Sequence, residues 1–158
     1  MLLKENIGVG RIESMDDFPR VAAAAEKSLA SEVAGTLPKG YEAMLGRRFE
    51  GGADLSMGQW QKVALARAYM RDAQVLVLDE PTSSLDARAE FEVFERFAEL
   101  TKGKMAILIS HRFSTVRMAD RILVLGGGRI EEQGTHEQLI ANRGRYAELF
   151  ELQAAGYR

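Results

Sequence analysis

The 158-residue chain contains no cysteine, which excludes a disulfide framework and thiolate metal sites and suits a reducing compartment. No apolar run approaches the ~20 residues that cross a bilayer, and the opening "MLLKENIGVG" holds too short an apolar stretch for a signal peptide. The chain is therefore expected to be cytosolic, with any membrane role exercised through a partner. Strong charge of one sign is also lacking. Twenty-one Lys plus Arg against 23 Asp plus Glu leave a formal net charge of −2, so the global balance gives no support to nucleic-acid binding. Internal repeats and low-complexity tracts are absent. What is present, 46% hydrophobic and 28% charged residues, is the balance of a globular domain with a real core.

Asp16 and Asp17 before Phe18-Pro19 mark a helix start, continued by the alanine run from Ala22 to Ala25 and ended by Gly35, Pro38 and Gly40. Tyr41 to Asp54 reads as loop. A helix from about Ser56 to Arg71 follows, with Trp60, Val63, Ala66 and Met70 as its core-facing stripe. "QVLVLDE", Gln74 to Glu80, has four successive aliphatics without alternation and is expected to be a strand buried on both faces. Asp86 can cap the next helix, whose apolar face is read as Phe91, Phe94 and Ala98. "KMAILIS" is a second buried strand ending at Ser110-His111. "RILVL" and "RIEEQ" around Gly126-Gly127-Gly128 form a hairpin. From Thr135 two short amphipathic helices, parted near Gly144, carry Leu139, Tyr146, Leu149 and Phe150 as packing residues. Strand, helix, strand implies an α/β domain whose site lies along the carboxyl edge of the sheet.

Two stretches carry chemistry. In "LSMGQWQ" Ser56 and Gln59 form a capping box, while the same helix start, with Gly58 allowing close approach, is an anion site. One capping box does not decide between the two. In "VLVLDEPTSSLD" the strand ends on Asp79 and Glu80, where one carboxylate can hold hydrated magnesium beside a phosphate and the next can orient a water. Paired acids after a strand also occur as ordinary caps; the order of the two stretches is more specific than either.

Residues 55–111 resemble the signature, Walker B, D-loop and switch regions of ATP-binding cassette (ABC) ATPases, the engines of ABC transporters. "ENIGVG" at Glu5 to Gly10, "LPKGYEAMLG" at Leu37 to Gly46 and "EEQGTHEQLI" at Glu131 to Ile140 resemble flanking segments of exporter-type cassettes, so the likeness covers nearly the whole chain. It implies a partial P-loop NTPase fold, a mainly parallel sheet remnant with a helical subdomain. Residues 1–54 would be part of that subdomain and the loop leading to the signature, and residues 55–158 the remaining motifs and C-terminal part. It further implies that Ser56, Gly58 and Gln59 reach the γ-phosphate of ATP on the opposite cassette of a head-to-tail dimer. Asp79 would bind Mg2+ through water, Glu80 would polarise the attacking water, and Ser84, Leu85 and Asp86 would form the D-loop between paired sites. His111 would sense the γ-phosphate, whereas His136 begins a helix. Glu50 stands where exporter cassettes carry a glutamate contacting the transmembrane domain, although Phe49 and Gly51 depart from the common wording. Met57 replaces the glycine most often found there.

The glycine-rich loop G-x-x-x-x-G-K-[ST], which holds the β and γ phosphates in this fold, is missing from the 158 residues; Lys27-Ser28 is preceded by Glu26. An adenine-stacking aromatic and the glutamine loop expected before "ENIGVG" are missing too. Negligible ATPase activity is expected of the chain by itself. Three readings stay open: the C-terminal part of an ABC exporter ATPase, a non-hydrolysing partner or regulator offering its signature to a complete cassette, and a DNA-repair or chromosome-maintenance ATPase. The exporter-like "EEQGTHEQLI" argues against the last. An in-frame P-loop upstream, or a genuine start at Met1, would separate the first two.

Overall fold

The computed structural model describes residues 1–81 and 87–156, which divide into two compact units, residues 1–77 with 81–107 and residues 78–80 with 108–158.

The first unit begins with a bundle of four helices: α1 (Leu3–Gly8), α2 (Phe18–Lys27), α3 (Ala30–Thr36) and α4 (Met57–Met70). Asp17 caps α2 by accepting from the Arg20 N–H, with Pro19 in the first turn, as the sequence implied. The helical region then breaks between α2 and α3. Ser28 Oγ donates to the Ala25 carbonyl and accepts from the Ala30 N–H, while Leu29 takes a left-handed backbone at φ 64°. Helix α4 packs on the other three. Its Val63, Ala66 and Met70 are fully buried against Leu3, Ile7, Val21, Ala25 and Ala30, and Trp60 packs at the margin.

Strands β1 (Val75–Asp79) and β2 (Met105–Ile109) form a two-stranded sheet joined through helix α5 (Ala87–Thr101). The Met105 N–H donates to Gln74 O at one end and the Glu80 N–H to Ile109 O at the other, so the strands run parallel. The expectation that both are buried on two faces is corrected. Leu76 is buried, but Val75, Val77, Met105, Ile107 and Ile109 are exposed, because nothing among the described residues covers the other face. Helix α5 is corrected as well: Val93, Phe94, Phe97 and Leu100 are its buried side chains, whereas Phe91 and Ala98 face solvent.

The second unit takes in the last residues of β1 and β2 and continues beyond β2. Helix α6 (Phe113–Val116) leads into the antiparallel hairpin of β3 (Ile122–Gly126) and β4 (Arg129–Gly134), then α7 (His136–Asn142) and α8 (Arg145–Gly156). The hairpin turns at Gly127 and Gly128, with φ of 55° and 77°, the pair of positive angles that a type I′ turn needs. Thr135 and Gln138 form a capping box on α7. Glu132 accepts from the Arg145 and Tyr146 N–H groups at 2.6 and 3.2 Å, fixing the start of α8 to β4. Leu139 and Tyr146 are buried as expected; Leu149 is exposed, since α8 turns that side away from the small core of Ile122, Leu139 and Tyr146. Among the described residues no helix is long and apolar enough to cross a membrane.

Candidate functional site

Ser56 is the N-cap of α4. Its Oγ accepts from the Gln59 N–H at 3.3 Å, and Gln59 Oε1 accepts from the Ser56 N–H at 2.9 Å. Four N–H groups at a helix start lack intrahelical partners, and the box satisfies two of them. Those of Met57 and Gly58 have no partner among the described residues and stand at the positive end of a 14-residue helix. The capping reading and the anion-site reading are therefore compatible: the side chains of Ser56 and Gln59 close the box, and the backbone between them remains free to donate. Met57 is itself exposed.

In the second unit Asp79 ends β1 as an exposed carboxylate, and the chain turns sharply at Glu80, which adopts φ 45°. A left-handed backbone costs a residue with a Cβ roughly 1–2 kcal/mol, and the Glu80 N–H bond to Ile109 O, 2.9 Å, holds it there. The turn directs the Glu80 carboxylate to His111 just beyond β2, where Oε1 lies 2.8 Å from Nδ1. An ionised carboxylate only accepts, so Nδ1 carries the hydrogen and Nε2 is left as the outward nitrogen. Both side chains are more than two-fifths exposed, 62% for His111 and 46% for Glu80, so the pair adds little to stability and is open to a ligand.

The backbone after His111 is held from three sides. Ser110 Oγ accepts from the Arg112 N–H at 3.0 Å. Gln153, in α8, accepts from the Phe113 N–H through Oε1 at 3.0 Å and donates from Nε2 to the His111 carbonyl at 3.1 Å. Gln153 was not singled out in the sequence. The available signal was its place seven residues after Tyr146 and three after Phe150, which puts it on the apolar face of α8. His136 begins α7 as expected, and its Nδ1 lies 2.9 Å from the hydroxyl of Tyr146.

Of the residues singled out, Glu80 and His111 thus meet at the ends of adjacent strands, with Asp79 preceding Glu80 as the last residue of β1. Ser56, Gly58 and Gln59 form a separate helix start in the other unit. Ser84, Leu85 and Asp86 lie outside the described residues. Glu50 is exposed in the tight loop that Gly46 and Ala53 close through a 2.8 Å backbone bond.

The ABC transporter family model matches residues 4–83. The subtilin transport ATP-binding protein SpaT of Bacillus subtilis is 44% identical over 140 residues, 89% of this chain and 23% of its own length. An ATP-dependent lipid A-core flippase of Legionella pneumophila (strain Paris) is 40% identical over 154 residues, 98% of this chain and 25% of its own. Among solved structures, a bacterial Atm1-family ABC exporter with ATP bound superposes with a TM-score of 0.86 at 36% identity, covering 97% of this chain and 26% of that one. The chain belongs to the ABC transporter family, and the relatives it matches include exporter ATP-binding proteins. It spans about a quarter of the length of these relatives.

Proposed function

We propose that the chain supplies the signature, Walker B and switch-histidine portion of an ABC exporter's ATP-binding cassette, working against a second cassette in a head-to-tail pair. The observation that carries this reading is the Glu80–His111 contact, 2.8 Å, made by a glutamate held in a left-handed backbone at the carboxyl edge of a parallel strand pair. That edge is where α/β sheets bind ligands, and strain concentrated there is characteristic of functional positions.

In this reading Ser56, Gly58 and Gln59 meet the γ-phosphate of ATP held by the other cassette, with the Met57 and Gly58 N–H groups as donors. Glu80 orients and deprotonates the attacking water. His111 keeps its Nδ1 hydrogen on Glu80, so a hydrogen bond from Nε2 to a phosphate oxygen requires the protonated ring. The D-loop role that the resemblance gives Ser84, Leu85 and Asp86 falls on residues outside those described. Asp79 is a hard oxygen donor, and among the described residues no cluster of three or more His, Asp or Glu could hold a metal unaided. This suits Mg2+, which takes one or two carboxylates, its own waters and substrate phosphates. The metal's contribution when bound is to neutralise charge developing on the phosphoryl oxygens.

The fit is to half of a nucleotide site, because the 158 residues contain no G-x-x-x-x-G-K-[ST] loop. We place the working location at the cytoplasmic face of a membrane, reached through a transmembrane transporter domain. Residues 1–54 belong to the helical subdomain side and residues 55–158 to the signature and catalytic side.

The experiment titrates the chain against an intact exporter cassette, that of the lipid A-core flippase, in ATP with Mg2+, and reads complex formation by sedimentation velocity. ATP-dependent association lost in Ser56→Asp is the expected result. Association indifferent to ATP, or none at all, overturns the proposal.

A further inference from the structure

We propose that Gln153 is a positioning residue for the switch histidine: its side-chain amide clamps the backbone on both sides of Arg112 and so aims His111 at Glu80. The inference deepens the cassette reading above and rests on it.

The partner Glu80 is already fixed by its own backbone, through the N–H bond to Ile109 O and the left-handed turn. His111 lies beyond the end of β2 and has no strand partner to set its direction. Its carbonyl is bound by Gln153 Nε2 at 3.1 Å, which fixes the plane of the peptide that follows the histidine. Two residues later the Phe113 N–H, a first-turn donor of α6 that the N-cap Arg112 does not satisfy with its side chain, is bound by Gln153 Oε1 at 3.0 Å. The amide's orientation is forced: exchanging its oxygen and nitrogen would set oxygen against a carbonyl and NH2 against an N–H.

Helix α8 is seated where this clamp requires it. Phe113 meets Tyr146 and Phe150 edge to face, each with ring centroids 5.2 Å apart, and His136 packs on the same two rings. The rings fix how near α8 lies to the loop, and the directional amide fixes how the loop is turned. A sliding or tilting α8 would therefore turn His111 away from Glu80 without altering either side chain.

The test uses the full chain with labelled histidine, which gives only two ring systems, His111 and His136. In the wild type, Glu80→Gln shifts the His111 ring nitrogens. In Gln153→Met the His111 signals are expected to sit where Glu80→Gln puts them, adding Glu80→Gln moves them no further, and the Phe113 amide exchanges about tenfold faster with solvent. Gln153→Glu keeps the acceptor for Phe113 and loses the donor to His111. It is expected to leave Phe113 exchange unchanged and still uncouple the ring. The His136 signals report whether α8 stays seated, and Gln153→Glu decides the matter where Gln153→Met unfolds. A folded variant that retains the wild-type His111 response overturns the proposal, as does a wild type whose His111 ignores Glu80→Gln. Failure of the cassette reading would show differently, as absent ATP-dependent association with these spectra unchanged.

Discussion

His111 Nδ1 lies 2.8 Å from Glu80 Oε1, and Glu80 reaches that position only by adopting φ 45° at the end of β1. Two substitutions separate the backbone from the carboxylate. Glu80→Ala and Glu80→Gly both remove the contact, but glycine is free of the Cβ clash in the left-handed region. Glu80→Gly is expected to be the more stable of the two by roughly 0.5–1 kcal/mol, read from urea unfolding midpoints. Equal midpoints would show that the strain is no larger than the backbone entropy that glycine loses on folding, and a more stable Glu80→Ala that the turn carries little strain.

The helix start at Ser56 offers a similar separation. Ser56→Ala should cost about 1 kcal/mol through loss of the cap. Ser56→Asp preserves the cap, because aspartate is an equally good N-cap residue, but sets a negative charge beside the N–H groups of Met57 and Gly58. Thermal unfolding should therefore distinguish Ala from wild type and leave Asp near it, while ATP-dependent association is weakened most by Asp.

Steady-state hydrolysis by the purified chain alone is expected to be negligible, since the lysine and backbone amides of a P-loop are the main electrostatic anchor of the γ-phosphate. Phosphate release above background that Glu80→Gln abolishes would falsify this.

Tyr69 donates to the Arg96 carbonyl at 2.5 Å, and burial pushes its hydroxyl up to about 12, with Glu99 nearby adding to the rise. A folded-state value above the unfolded one means that the stabilisation is whole below pH ~10 and is lost as pH rises from there towards 12. Burial raises Tyr41 and Tyr146 as well, so of these three tyrosines Tyr69 should ionise last in an alkaline absorbance titration, and Tyr69→Phe should remove that last phase. Loss of the bond is expected to cost about 1 kcal/mol.

The sheet face formed by Val77, Met105, Ile107 and Ile109 is exposed, and contiguous apolar surface promotes association. Ile107→Lys is expected to lower light scattering at high protein concentration. An unchanged scattering profile would remove this face as the cause.

Much of the local structure was legible. The caps at Asp17, Ser56 and Thr135, the Gly127-Gly128 turn and the stripe of Val63, Ala66 and Met70 depend on residues within a few positions of one another, where propensity and periodicity act directly. The acids at the end of β1 and the histidine at the end of β2 were legible for the same reason, as punctuation after apolar runs. Burial was less so. An aliphatic run such as "VLVL" states what a strand could bury, whereas the material packed on each face decides what it does bury, and here Val75 and Val77 remain in solvent.

The sequence by itself determined the elements, their caps and the residue types at the strand ends, because those follow from chemistry along the chain. Tertiary structure alone decided that Glu80 turns left-handed to face His111 and that Gln153, from the last helix, grips the loop carrying that histidine. Such relations join positions 31 and 42 residues apart. Their geometry is set by strand pairing and the seating of α8 on Phe113, which no local window of sequence contains.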